Sequence, residues 1–310
     1  MTGIQPAAKP AALSREASAY LLLVLAALCW SGNHVLGRAA AGHVPPFAIS
    51  TVRWGVPLLI LWPFARRHLQ RDWPLIQSHW RPLLLLGLTG GAIFGVLQYI
   101  GLQYTTALNV SLLNSLGPVM IAAAGAALFG DRLTRAQMWG IATSLAGVLL
   151  IVAQADLQRL AGLDFNRGDL VILFNMAIWA IYSVCLRWRP AIHWMSFTFV
   201  LAAVSTVATL PFFAMEHALG LTVQRTPLTA LVLAYVAIFP SLIGFAAWNR
   251  GVDVVGPARA GATLHLIPLF SAVIASIALG EQLRGYHMAG FALILAGVWL
   301  AARRPASLPA

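Results

Sequence analysis

The chain has 310 residues, 60% hydrophobic and only 9% charged, with a formal net charge of +11 and a mean hydropathy of +0.80. A soluble domain carries about 25% charged side chains, so this composition excludes a soluble enzyme or binding module and indicates a polytopic membrane protein. The basic residues are scattered between apolar runs rather than gathered on one face, which fits charges flanking membrane helices and argues against a nucleic-acid partner.

Residues 1–17 are polar, rich in Ala and Pro, and read as a mobile cytoplasmic tail. Apolar runs long enough to cross roughly 30 Å of hydrocarbon follow. In the first half they are 18–38, 45–65, 82–104, 107–129 and 134–153. In the second they are 168–187, 193–215, 228–250, 257–280 and 285–302, with 303–310 a short cytoplasmic tail. The segment after the first run, Ala39 to Ala41, imitates a signal-peptide cleavage site. Yet that run closes on Arg38 and is followed by many like it, so it reads as a retained first helix. The expected fold is all-α, ten transmembrane helices with loops too short for a soluble domain. Cys29 and Cys185 fall inside apolar runs and read as inert packing residues.

Fourteen of the twenty Lys and Arg residues fall in the tails and loops on one side of these spans, and five fall on the other. Arg53 is left over, inside a span and away from its ends. By the positive-inside rule both termini are cytoplasmic, which for a bacterial chain means a multi-pass protein of the inner membrane.

The chain also repeats itself. "LGPVMIAAAGAALFGDRLTRAQMWGIATSLAGVLL", from Leu116, aligns without a gap on "LIPLFSAVIASIALGEQLRGYHMAGFALILAGVWL", from Leu266. Pro118 then falls on Pro268, Asp131 on Glu281, and Gly140 on Gly290. More faintly, Trp30 and Arg38 fall on Trp179 and Arg187. Each half, 18–153 and 168–302, holds an odd number of spans, so the second enters the membrane upside down relative to the first. Inverted halves around a shared site are a recurrent plan of secondary transporters, because two pseudo-equivalent units can rock between two openings.

"CWSGNHVLGR" followed by "VPPFAISTVRW" resembles the opening of the ten-helix, EamA-type members of the drug/metabolite transporter superfamily. There a Trp, an Asn and a basic residue close the first helix and an Arg follows in the second. "FGDRLTRAQMWGIATSLAGVLL" and "LGEQLRGYHMAGFALILAGVWL" are similar to the family's second signature, an acidic residue after Gly and then a Gly-rich helix. The resemblance covers nearly the whole chain, with Asp131 where Glu is usual and Arg38 where Lys is usual. It implies ten helices as two inverted repeats around a central cavity. Within the superfamily the chain looks most like bacterial inner-membrane exporters of aromatic amino acids.

Helical spacing marks the faces that avoid lipid. Trp30, Asn33 and His34 share one stripe of the first span; Asn175, Trp179, Tyr182 and Ser183 share one in the sixth. The fourth span offers Ser111, Asn114, Ser115 and Pro118, and its mate Gly261, Leu264, His265 and Pro268. The third offers Gly91, Gly95 and Gln98, and the eighth Ser241, Gly244, Phe245 and Trp248. Lipid cannot solvate such groups, so they are expected to converge on an interior cavity. For any one Asn or Ser the alternative is a bond to a neighbouring helix, and for His265 it is a satisfied core imidazole. Trp54, Trp62, Trp73, Trp80 and Trp194 read as interfacial anchors. The expected substrate-binding set is therefore Trp30, Asn33, His34, Gln98, Ser111, Asn114, Ser115, Asn175, Trp179, Tyr182, Ser241, Phe245, Trp248 and His265. Pro118, Pro268 and Pro240 each break a helical bond; Pro118 and Pro268, as repeat mates, read as hinges, and Pro240 as a hinge or a static kink. The fifth and tenth spans, rich in Gly and small residues, read as packing helices, within the chain or across a homodimer.

The acidic residues all lie at or beyond the span ends, with Asp131 and Glu281 expected as caps or loop contacts. A carrier of organic cations needs a carboxylate in the membrane, so cation antiport is disfavoured. His34 or His265 could still couple transport to protons. Ser31 and His34 invite a hydrolase reading, but no oxyanion turn, no GxSxG and no metal motif accompanies them. No cofactor is implied. Arg53 has two readings, a partner for a substrate carboxylate or a snorkelling helix-bonding residue. Aromatics mixed with amides and imidazoles suit a small zwitterion with a flat or apolar side chain. The expected function is export of amino acids, aromatic or neutral, and related metabolites by alternating access. The alternatives are a carrier of sugars or nucleotide derivatives, or an intramembrane enzyme.

Overall fold

A computed structural model describes residues 14–105, 110, 113–153, 166–279 and 285–302, and every regular element among them is helical. The first half contains α1 (Arg15–Ala39), α2 (Pro46–Ser78), α3 (Trp80–Tyr104), α4 (Gly117–Phe129) and α5 (Arg135–Val152). The second contains α6 (Arg167–Cys185), α7 (Trp194–Ala218) and α8 (Pro227–Val255). There follow α9, which runs from Pro257–Ala262 through a tight turn into Leu266–Leu279, and α10 (Gly285–Ala302). Each element overlaps one expected span; α4 covers 117–129 of the expected 107–129, whose residues 107–109, 111 and 112 lie outside the described residues. α2 departs most, running on past Ala65 to Ser78. Hydropathy ends where Arg66 and Arg67 begin, whereas helical hydrogen bonding does not stop at charged residues that reach water.

Local chemistry sets the ends. Ser14 and Thr226 cap α1 and α8 with their hydroxyls, and capping boxes open α5 (Thr134 with Gln137) and α6 (Asn166 with Asp169). Gly130, at φ +68°, stops α4, and Gly256, at φ +82°, turns α8 into α9. Asp131, expected as a cap or loop contact, makes a loop contact, a bidentate ion pair with Arg187 across the two halves, while Glu281 lies outside the described residues. That guanidinium holds the Asp131 carboxyl below the usual carboxylate range. The Tyr20 hydroxyl lies 3.5 Å from the Ala302 carbonyl, so the starts of α1 and α10's last turn share one face of the bundle.

Repeat mates meet at the centre, as a two-fold axis requires. The rings of Trp30 and Trp179 touch edge to face at 5.1 Å. His265 Nε2 donates to the carbonyl of its mate Ser115 at 2.7 Å. In α5 and α10 the contacts are reciprocal: a Cβ on Gly140 would lie 2.6 Å from the Gly297 carbonyl, and one on Gly147 would lie 2.7 Å from the Gly290 carbonyl. Residue i meeting j while the mate of j meets the mate of i is the signature of an isologous contact. The small faces of α5 and α10 are thus spent against each other inside the chain. α2 and α7 are joined in the same reciprocal way. Glu216 near the end of α7 accepts from the Phe47 and Ala48 amides that open α2, at 3.0 and 2.9 Å. Asp72 near the end of α2 accepts from the His193 amide that opens α7, at 2.8 Å. Each carboxylate satisfies amide protons that the helix itself leaves free.

Two consequences can be checked by thermal unfolding in detergent. Gly297→Leu must drive a side chain into the backbone of α5, and a loss of about 1–3 kcal/mol is expected, whereas Leu295→Ala on the exposed face of α10 leaves the midpoint unchanged. His265→Phe removes the bonds to the Ser115 carbonyl and the Ser144 hydroxyl, with an expected loss of about 1–2 kcal/mol.

Candidate functional site

A small cavity lies where the two halves meet. Its wall is Trp30, Asn33 and His34 from α1, Arg53 from α2, Phe94 and Gln98 from α3, Asn114 just before α4, Met176 and Trp179 from α6, and Leu264 and Ile267 from α9. Six residues of the expected substrate-binding set therefore share this wall. The cavity holds about 30 Å³, roughly one water's share of liquid volume. Typical ligand pockets hold about 300–1,000 Å³, so the helices must part before a metabolite fits.

Polar groups on and beside this wall are incompletely satisfied. The Asn114 amide donates to His34 Nε2 at 3.2 Å, which leaves the proton of that ring on Nδ1, where no partner meets it. The Asn175 amide donates to Gln98 Oε1 at 3.2 Å. Beyond these bonds Arg53 Nη1, Gln98 Nε2 and Trp179 Nε1 are buried donors without acceptors, and Asn114 Oδ1 and Asn175 Oδ1 are buried acceptors without donors. Buried polar groups are nearly always paired. Here donors and acceptors stand unpaired together.

Other expected residues serve different ends. Tyr182, Phe245 and Trp248 pack with Trp30 and Trp179 in one aromatic cluster, ring centroids 5.1–5.9 Å apart. Tyr182 also donates to Asn249 Oδ1 at 2.5 Å, and Asn249 lines a groove of about 980 Å³ between α1, α2, α7 and α8. The cluster thus stands between cavity and groove. Ser241 accepts from Arg53 Nε at 2.7 Å and donates to the Val236 carbonyl. His265 is off the cavity wall, its Nδ1 sharing a 2.5 Å hydrogen bond with Ser144 and its Nε2 held by Ser115. Ser115 contributes its carbonyl to that tie. Ser111 lies outside the described residues.

Ser31 donates to the Ala27 and Ile267 carbonyls at 2.7 and 3.0 Å, so its hydroxyl proton is directed at backbone rather than at His34. Trp54, expected as an interfacial anchor, is fully buried and donates to the Gly91 carbonyl at 3.1 Å. The other four expected anchor tryptophans are exposed.

The prolines sit at breaks in helical bonding. Pro118 lies in the first turn of α4, where its missing amide costs nothing, and Pro268 follows the tight turn inside α9. Pro240 falls inside a π-helical stretch, Ala237–Gly244. Its repeat mate, Gly87–Ile93 in α3, is π-helical as well, a feature that spacing of apolar residues does not reveal. The widened turns offer carbonyls sideways: Pro240 accepts from Trp30 and Gly91 from Trp54, both at 3.1 Å. π-turns within α-helices are frequent at functional sites.

Comparison with known proteins agrees with this architecture. A solved crystal structure superposes with a TM-score of 0.70 at 24% identity, covering 92% of this chain and 96% of that one, which shows the fold. A probable terminal-alkyne amino-acid exporter of Streptantibioticus cattleyicolor is 30% identical over 241 residues, 77% of this chain and 76% of its own. A probable amino-acid metabolite efflux pump of Salmonella typhimurium is 25% identical over 90% of this chain and 93% of its own. An uncharacterized transporter of Archaeoglobus fulgidus is 28% identical over 91% of this chain and 96% of its own. The EamA-like transporter family model matches twice, over residues 17–153 and 166–303, one copy for each inverted half. The chain belongs to the EamA-like transporter family.

Proposed function

We propose that this transporter exports amino acids, aromatic or neutral, and related small metabolites by alternating access, from the inner membrane of a bacterium with both termini cytoplasmic. One observation carries the reading: unpaired buried donors and unpaired buried acceptors stand together at the contact of the two inverted halves. A small zwitterion needs both kinds. The flat rings of Trp30, Phe94 and Trp179 beside them suit an apolar or aromatic side chain. The names of the Streptantibioticus and Salmonella relatives point to the same substrate class. The orientation rests on the skew of fourteen basic residues against five.

In this mechanism the aromatic cluster is the barrier on the termini face. Parting the rings of Tyr182, Phe245 and Trp248 from Trp30 and Trp179 joins the cavity to the groove lined by Asn249. The paired π-stretches in α3 and α8 are the points about which the half-helices bend, with Pro240 in one and Pro118 and Pro268 at the breaks of α4 and α9. Because the second half repeats the first upside down, an equivalent movement on the opposite face opens the other exit.

Counterflow in proteoliposomes, run with a panel of labelled amino acids, tests the reading. Phenylalanine or another neutral amino acid is expected to exchange, and a panel in which none moves overturns the assignment. Trp179→Ala removes the ring shared by cavity and cluster and is expected to reduce exchange at least tenfold while the protein still inserts and melts cooperatively. Trp139→Ala, on the exposed face of α5, is the matched control and is expected to leave exchange intact.

A further inference from the structure

Arg53 is 1% exposed and surrounded by rings, its guanidinium 5.7–5.9 Å from the centroids of Trp54, Tyr99 and Phe245. A guanidinium is a fixed positive charge with five donors and no acceptor. Among the described residues no carboxylate lies within ion-pair distance of it. Ser241 holds Nε at 2.7 Å and is itself anchored to the Val236 carbonyl of the α8 π-stretch, so the head group is oriented from behind. Nη1 remains unpartnered on the cavity wall, where Gln98 Nε2 is an unpartnered donor too. A snorkelling arginine would carry its head group to water. This one is aimed inward.

We propose that Arg53 and Gln98 form a carboxylate subsite, so that a carboxylate is required of every substrate and an ammonium group is not. The assignment deepens the amino-acid reading above and names what the cavity selects for. An unpaired cation enclosed by protein is costly, and an arriving carboxylate neutralises it through charge-assisted hydrogen bonds. The Asn114 and Asn175 carbonyl oxygens then accept from an ammonium group where the substrate has one, as neutral dipoles that help without being obligatory. Amino acids and simple aryl-substituted carboxylic acids both qualify. Their amides and the corresponding decarboxylated amines do not.

The test uses the full chain in detergent and follows its intrinsic tryptophan fluorescence, to which Trp30 and Trp179 of the cavity wall contribute, as three compounds of one shape are titrated. Phenylalanine has both charged groups, 3-phenylpropionate only the carboxylate, and phenylalaninamide only the ammonium. The two acids are expected to bind, and the amide at least about tenfold more weakly, the loss expected for a charge-assisted bond. Arg53→Gln is expected to erase the preference for acids, and Arg53→Lys to keep part of it. Equal binding of acid and amide by the unaltered protein overturns the proposal, as does binding of none, and neither outcome depends on whether a variant folds. The two readings fail separately: counterflow of amino acids without any acid preference removes Arg53 alone. Acid binding that requires Arg53, in a protein that exchanges no amino acid, removes the export reading alone.

Discussion

A polar side chain in hydrocarbon finds no water, so each one in this chain must meet another protein group or enclose a space of its own. The bundle is arranged around that constraint. Ser31 bonds across to α9, Trp54 to the opened carbonyl of α3, and Ser205 of α7 to the Gly87 carbonyl of the same stretch. Thr51 and Thr209 tie α2 to α7 through their hydroxyls. Once these ties are drawn, the polar groups left over are mostly those on and beside the cavity wall or on the edge of the aromatic cluster. Structure and candidate site thus follow from one rule. The residues that bond fully hold helices together, and those that bond partly remain available to something that arrives.

The second organising feature is the internal axis. Contacts between repeat mates, Trp30 with Trp179 and Ser115 with His265, lie on it, and the reciprocal pairs α5 with α10 and α2 with α7 straddle it. A two-fold within one chain makes two end states nearly equal in packing, which is what a carrier needs if neither opening is to trap it. Symmetry is broken where chemistry is done. Arg53 of α2 has no basic counterpart in α7, which holds neither Lys nor Arg between Trp194 and Ala218. The π-stretches are matched in position, yet Pro240 stands where the first half has Gly90. The frame is duplicated and the lining is not.

Much of the candidate site was legible because periodicity in a membrane helix is a statement about solvation. Trp30, Asn33 and His34 recur at helical spacing, and the structure sets all three on one wall with Gln98, Asn114 and Trp179. What periodicity cannot separate is a polar residue that lines a space from one that closes a helix contact. His265 and Asn114 stand in neighbouring positions of aligned stripes, yet Ser144 and Ser115 occupy both nitrogens of His265 while the Asn114 carbonyl oxygen stays unpaired. Trp54 shows the same limit, since a tryptophan anchored at an interface and one buried against a π-turn have the same neighbours in sequence. Arg53 had two readings for the same reason. The direction of its side chain depends on Ser241, far along the chain and in the other half.

The number of helices, their inverted halves and the expected sidedness follow from the sequence by itself, because each depends on quantities summed along the chain: hydropathy over a span, basic residues over a loop, identity over a repeat. Tertiary structure alone decided which polar atoms were left unpaired, where the π-turns opened and how small the enclosed space is. Those depend on distances of a few tenths of an ångström between groups from different helices. No sum along the chain contains them.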